Sequence, residues 1–383
     1  MDSITQWIDK HVDDLIATYK HLHQHPELAF KEINTAAYLA DELQKAGYEV
    51  QTNVGGTGVI GTLKGTRPGT VFAMRADMDA LPITEQTGLP FASTMPGVMH
   101  ACGHDAHSAM LLFAARAIAE TKGIRRGTLK ILFQPAEETL QGAKAVIHSG
   151  ALEGVEEMVG LHVRNNSELP LGQACSGICH AGAWHVKAII RGCSAHAAWP
   201  HKGVNVVNAI AACVNSVNAV HANPLVAHSA KVTQCSTGSG AVNIIPDYAE
   251  LTCDVRGQTN DTLEELQHKV RHALETAVAT VGASVELVEL GLVPAASFDT
   301  DMMTLAQYSI AAVVGEENTL PPLLSPGSED FHFYSSLTGI KTAFVGIGAG
   351  MTTGGHTPTM QIDLATLPIG AKIYAHLAST RLR

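Results

Sequence analysis

The sequence predicts an α/β fold, a mixed and mostly parallel sheet covered by helices and interrupted by an inserted α+β unit. Three observations carry this prediction. Apolar runs of buried-strand type at residues 71–76, 128–133 and 342–346 alternate with stretches of helical spacing, as parallel strands covered on both faces do. From Ala183 the pattern becomes a period-two alternation with Trp184, Val186, Ala188 and Ile190 on one face. The segments that follow read β-α-β-β-α-β, the order of a split, ferredoxin-like unit. Material of the first kind then returns. The expected boundaries are 1–181 and 294–383 for an interrupted first domain and 182–293 for the insert.

Taken in order, Ser3 can cap a helix in which Ile4, Trp7, Ile8, Val12, Leu15, Ile16 and Tyr19 recur at helical spacing. Pro26 ends it, because the residue before a proline avoids the helical region. His21, His23 and His25 fall at its fraying end with no ligand role. A helix at 32–46 stops at Gly47, and short strands follow at 49–53 and 58–64. The run 71–76 delivers Asp77 and Asp79, the run 128–133 ends in Gln134-Pro135-Ala136-Glu137-Glu138, and a strand near 157–161 delivers His162. In open α/β sheets ligands bind beyond these C-terminal strand ends. The insert is expected to hold strands at 183–192, 231–236, 248–255 and 284–290, with helices at 204–220 and 262–281. The return comprises a helix at 301–314, a Pro/Ser/Gly loop, the strand 342–346, a glycine-rich loop that hands over His356, and a last helix near 365–380.

At 383 residues the length fits two domains better than one, and 46% hydrophobic residues suffice for ordinary cores. A formal net charge of −11 without any Lys/Arg block excludes nucleic acid and anionic membrane as partners, since both need clustered positive charge. The first 28 residues lack the basic and continuous apolar regions of a signal peptide. Seven cysteines, odd in number and scattered, suit a reducing cytoplasm.

The densest chemistry lies in Met99-His100-Ala101-Cys102-Gly103-His104-Asp105-Ala106-His107, ahead of a helix expected at 108–119. Cys102 and His104 alternate, so an extended loop freed by Gly103 would turn both toward one cation. Proximity to a helix N-terminus should favour the thiolate, the form that binds metal or attacks carbonyls. Two chemistries fit. A metal centre needs further carboxylate and imidazole ligands, whereas a Cys/His nucleophilic pair needs an oxyanion hole and an orienting group. Cys102, His104, Glu138, His162 and His356 supply one thiolate, one carboxylate and three imidazoles at strand ends or nearby loops of one sheet edge.

Further motifs accompany them: His23-Gln24-His25-Pro26-Glu27-Leu28, Arg75-Ala76-Asp77-Met78-Asp79-Ala80-Leu81-Pro82, Phe133-Gln134-Pro135-Ala136-Glu137-Glu138 and Gly160-Leu161-His162-Val163. The second domain adds His196-Ala197-Ala198-Trp199-Pro200-His201 and Asn243-Ile244-Ile245-Pro246-Asp247, and the return adds Ser328-Glu329-Asp330-Phe331. With this set, in this order and over nearly the whole chain, the sequence resembles the di-metal amidohydrolases of the aminoacylase and carboxypeptidase superfamily. The nearest branch contains hippurate hydrolases, N-acetyl-diaminopimelate deacetylases and indoleacetyl-amino-acid hydrolases.

The resemblance implies a three-layer α/β/α catalytic domain, with the insert as a lid through which the chain forms a homodimer or homo-oligomer. It implies two divalent metal ions, zinc first, with nickel, cobalt or manganese also compatible with a mixed shell. Cys102 would bridge them, and His104, Glu138, His162 and His356 would complete their shells. Glu137 would be the general base, and Asp79 would support the ligands. His196 would stabilise the oxyanion in the partner subunit's site, while Asn243 and Arg256 would hold the substrate carboxylate. Two such cations carry four positive charges, of which Cys102 and Glu138 return two, leaving net charge to acidify water. Where relatives place glycine or serine before the lid histidine, this chain has Ala195, which restricts the backbone there. The expected function is a cytoplasmic amidohydrolase cleaving N-acyl-L-amino acids, such as N-acetyl or N-benzoyl compounds, to a carboxylic acid and a free amino acid. A dipeptidase or carboxypeptidase with the same centre is the second expectation, and a catalytically silent binding protein of this fold the third.

Overall fold

A computed structural model describes residues 2–238 and 240–383. Residues Cys179–Ala296 with Leu324–Ser328 form one compact unit, and the remaining described chain forms the other. The larger unit is built on an eight-stranded sheet in the spatial order Glu49–Val54, Gly58–Lys64, Arg126–Gln134, Arg67–Asp77, Glu157–Asn165, Lys341–Met351, Ala174–Cys175 and Thr319–Leu320. The central four strands run parallel, and antiparallel pairs flank them.

Strand alternation divides the burial between two layers. Phe72, Met74 and Ala76, with Leu129, Ile131 and Phe133 and with Val159, Leu161 and Val163, belong to one continuous core. Residues from the helices Val12–Gln24, Ile33–Lys45, His104–Glu120, Thr300–Val314 and Thr366–Arg381 complete that core. The alternate positions Ala73, Arg75, Leu132, Gln134 and Phe344 are also buried, on the side of the short helices Gly142–His148 and His332–Thr338.

The smaller unit has a four-stranded antiparallel sheet ordered His228–Thr237, Tyr248–Gly257, Gly182–Arg191, Ser284–Val293. Trp184, Val186, Ala188 and Ile190 pack with Val206, Ala209 and Cys213 of the helix Val206–Asn218 and with Leu266, Val270 and Leu274 of the helix Asn260–Thr280. Side-chain caps start both helices: Asn205 accepts from Val207 N–H and Thr259 from Thr262 N–H. A small ribbon pairs Ala195–His196 with Ile244–Ile245.

Several expectations change. The first helix is two, Asp2–Lys10 and Val12–Gln24, because His11 N–H pairs three residues back with Ile8 O and its ring turns onto the Trp7 carbonyl. Ser3 lies inside the helix Asp2–Lys10 rather than before it. The helix after the cysteine loop starts at His104 rather than 108, and His162 lies within its strand, paired with Gly346, rather than beyond it. Residues 348–351 continue the strand Lys341–Met351 instead of forming a loop. All seven cysteines are free thiols, and no helix among the described residues is long and apolar enough to cross a membrane.

Candidate metal centre

Gly103, at φ +91°, turns the chain between Cys102 and the first helical residue, His104. A Cβ there would lie 2.6 Å from Val163 Cγ2, so the close approach of loop and strand requires glycine. The turn after Arg126–Gln134 presents Glu137 and Glu138, the strand Glu157–Asn165 presents His162, and His356 takes a left-handed backbone with its N–H on Ala101 O at 2.7 Å.

These elements bring the donors together in two groups that share one sulfur. Cys102, His104 and His162 form one, and Cys102, Glu138 and His356 the other, the ligand atoms within each lying within 4.8 Å of one another. His104 Nδ1 donates to Asp79 O at 2.9 Å, which leaves Nε2 buried with no hydrogen bond. Glu138 Oε1 is likewise buried without a hydrogen bond, 3.9 Å from His104 Nε2 and 3.4 Å from His356 Nε2. His162 Nδ1 donates to Val163 O at 2.6 Å, turning Nε2 toward Cys102 Sγ at 3.4 Å. Buried polar atoms without partners are costly, and a set of sulfur, imidazole and carboxylate donors converging this way fits divalent cations. Asp79 Oδ2 also accepts from Glu138 N–H at 3.0 Å while its carbonyl and, at 3.3 Å, its Oδ1 face His104 Nδ1, so one residue orients both an imidazole and the acidic turn.

The charges weigh against a Cys/His nucleophilic pair. Burial, then the Glu138 carboxylate, pushes the Cys102 thiol up to about 12, against the expectation that a helix N-terminus would favour the thiolate. Without a cation this sulfur is a poor nucleophile. Burial lowers the pKa of His104, but Asp77, Cys102 and Asp79 together outweigh it and hold that imidazole well above its ordinary value. Burial, followed by Glu329 and Asp330, raises Glu137 well above the usual carboxylate range. Glu137 Oε2 lies 3.8 Å from His104 Nε2.

His107 has no free nitrogen for a cation. Its Nδ1 donates to Asp77 Oδ1 at 2.6 Å and its Nε2 accepts from Val163 N–H at 2.9 Å. Two further networks escaped the sequence reading. Arg75, fully buried, reaches Asp77 at 2.6 Å, Glu329 at 3.0 Å and Asp330 at 3.2 Å, with Gln134 on its Nε at 2.9 Å. An arginine inside an apolar strand was the available signal, since a buried guanidinium requires carboxylates. His23 is not at a fraying end: it is buried between Asp105 at 2.6 Å and Glu85 at 3.2 Å. Burial would lower its pKa, but the two carboxylates raise it to about 10.

In the smaller unit His196 and Asn243 are exposed on the ribbon, joined by Ala197 N–H to Asn243 O at 2.8 Å. His196 Nδ1 accepts from Ala198 N–H at 3.1 Å, so the ring carries its proton on Nε2 as a free donor. Ala195 is accommodated in an ordinary strand conformation because residue 203, against which it packs, is glycine. Arg256 uses Nε and Nη2 on Asp254 at 2.9 and 3.0 Å, and Nη1 reaches Pro326 O and Ser328 Oγ. Its bidentate edge is thus taken within the unit.

An α/β unit with such a cluster at its strand ends, interrupted by an α+β insert, is the build of a hydrolase that acts on amide bonds. The model of peptidase family M20/M25/M40 matches residues 73–380, and the chain belongs to that family. It is 33% identical to an N-acetylcysteine deacetylase of Bacillus subtilis (strain 168) over 370 residues, 95% of this chain and 96% of the relative. It is 35% identical to IAA-amino acid hydrolase ILR1-like 5 of Arabidopsis thaliana over 384 residues, 97% of this chain and 87% of the relative. Among solved structures, the Bacillus subtilis YXEP protein, described as a dinuclear metal binding peptidase, superposes with a TM-score of 0.86 at 31% identity, covering 98% of this chain and 99% of that one.

Proposed function

We propose that this protein hydrolyses N-acyl-L-amino acids to a carboxylic acid and a free amino acid with two divalent cations, zinc first among the candidates, in the Cys102 centre. The observation that carries the reading is the pair of donor groups sharing Cys102 Sγ, with His104 Nε2 and Glu138 Oε1 buried and without hydrogen bonds. Cys102, His104 and His162 would hold one cation, and Cys102, Glu138 and His356 the other. When bound, the cations would supply positive charge that acidifies water and polarises the amide carbonyl.

Glu137 is the general base: it takes a proton from the attacking water and returns it to the leaving amine. Burial beside Glu329 and Asp330 raises its pKa, which makes the ionised carboxylate a stronger base for the first transfer. Asp79 keeps His104 and the Glu138 backbone oriented. His196, with its proton on Nε2, is the donor for the developing oxyanion, and by the family resemblance it serves the partner subunit of a dimer formed through the smaller unit. Asn243 and Arg256 bind the substrate carboxylate, for which the Asp254 pair on Arg256 must open. The free thiols suit a reducing, cytoplasmic setting.

The test is metal removal with a substrate panel. Dialysis against a chelator should abolish hydrolysis of N-acetyl and N-benzoyl amino acids, and zinc, cobalt, nickel or manganese should restore it; full activity in metal-free protein overturns the reading. Glu137→Gln should retain its metal while kcat falls ~10²–10⁴-fold. Metal loss in that variant would exchange the roles of Glu137 and Glu138. A peptidase reading shares the same centre and is favoured by the description of the YXEP protein. Higher kcat/KM on dipeptides than on acyl amino acids would select it.

A further inference from the structure

Ala136 stands directly before the two acidic residues and takes a left-handed backbone, φ +54°. Its N–H ends on Glu32 Oε1 at 2.9 Å, a carboxylate 104 residues away in sequence. Glu32 is fully buried, and its other oxygen accepts from Thr57 Oγ1 at 2.5 Å. It immediately precedes the helix Ile33–Lys45, yet its side chain makes no capping bond to that helix. One carboxylate oxygen thus holds the acidic turn and the other the segment that carries Thr57. Two residues beyond Ala136, the Glu138 N–H ends on Asp79 Oδ2 at 3.0 Å. The backbone donors on either side of Glu137 are thus each held by a carboxylate.

The turn has little room to relax. Gly142 N–H returns to Ala136 O at 3.1 Å, and a Cβ on Gly142 would fall 1.7 Å from Pro135 O. A Cβ on Gly58, next to Thr57, would meet Pro135 Cδ at 3.0 Å. The segment that carries Thr57 therefore lies directly against the turn that Glu32 grips.

We propose that Glu32 is a positioning residue for the turn: by holding the Ala136 N–H it fixes where Glu137 and Glu138 point. This rests on the assignment of Glu137 as base and Glu138 as ligand. A hydrogen-bonding role separates from a charge role by substitution. In Glu32→Gln the amide oxygen can still accept from Ala136 and the amide N–H₂ can donate to Thr57 Oγ1, so the grip survives without charge. In Glu32→Asp the charge remains but the side chain is one methylene short.

The experiment titrates metal-stripped wild type, Glu32→Gln, Glu32→Asp and Glu32→Ala with cobalt(II), read by the thiolate and d–d absorption bands, and then measures kcat and KM on an N-acetyl amino acid. The Asp and Ala variants should need ~10–100-fold more cobalt for half-saturation and lose kcat on the same scale with KM nearly unchanged, while Gln stays close to wild type. Folded Asp or Ala variants that bind cobalt and turn over like wild type overturn the proposal, as does a Gln variant as impaired as Asp. If Ala does not fold, the contrast between Gln and Asp decides. Glu137→Gln run in parallel separates the two readings: full turnover there overturns the assignment of the base, whereas loss there with normal Glu32 variants overturns the positioning role alone.

Discussion

His23 and Glu137 are both buried titratable groups, and their neighbours decide what burial does to each. Around Glu137 the nearby Glu329 and Asp330 add to the effect of burial and raise its pKa further. Around His23 the carboxylates of Asp105 and Glu85 oppose burial and overcome it, raising the imidazole to about 10. The folded-state pKa of His23 therefore lies above its ordinary value of about 6.5, so protonation favours the folded state. That contribution, on the order of a few kcal/mol, is fully present below pH ~6.5, declines as pH rises, and is gone once the pH passes about 10. Thermal melts of His23→Gln beside wild type should show the widest gap at pH 6 and a much smaller one at pH 10. A gap of equal size at both would remove the buried ion pair from the explanation. Because Asp105 directly follows His104, this pair also ties the helix Val12–Gln24 to the metal loop.

His162 is delivered from a regular strand, but the other donors are presented through backbone conformations that ordinary strands and helices do not use. Gly103, Ala136 and His356 all have positive φ, and each stands at or beside a residue proposed for the site. Gly103 is the most constrained, since a side chain would face both an unfavourable φ and Val163 Cγ2 at 2.6 Å. Gly103→Ala is expected to destabilise the protein by about 1–3 kcal/mol in urea unfolding, from backbone strain and overpacking together. It should also weaken cobalt binding, because Cys102 and His104 are its immediate neighbours. Unchanged stability and unchanged cobalt affinity would mean the loop has freedom that this geometry denies it. At Ala195 the outcome is the opposite: the residue that narrows the backbone costs nothing visible, because Gly203 leaves space for its methyl group.

At the scale of the whole molecule the proposal makes His196 belong to a different chain from the centre it serves. His196→Ala and Glu137→Ala homodimers should each be inactive, for different reasons. In a mixed dimer one of the two centres combines an intact Glu137 from one chain with an intact His196 from the other. Co-refolding the two inactive variants should then recover measurable hydrolysis. If heterodimers form and stay inactive, His196 acts within its own chain or not at all.

The sequence by itself determined the fold class and the chemistry of the donors. The choice of Glu138 over Glu137 as ligand came from the family resemblance, whereas apolar runs of strand length, a change of period at Ala183 and a thiol, two adjacent carboxylates and three imidazoles near strand ends are local features. The β-α-β-β-α-β order of the insert was legible for the same reason, and the structure pairs those strands into one antiparallel sheet. What only the tertiary structure decided depends on residues far apart in the chain. The sequence could not place Glu32 on Ala136, His23 between Asp105 and Glu85, or Arg75 among Asp77, Glu329 and Asp330. Nor could it give the physical reason for choosing His104 over His107, which is that both His107 nitrogens are occupied and one of His104 is left free. Hydrogen bonding in a buried site is settled by which donor meets which acceptor in space, and neither residue type nor periodicity records that.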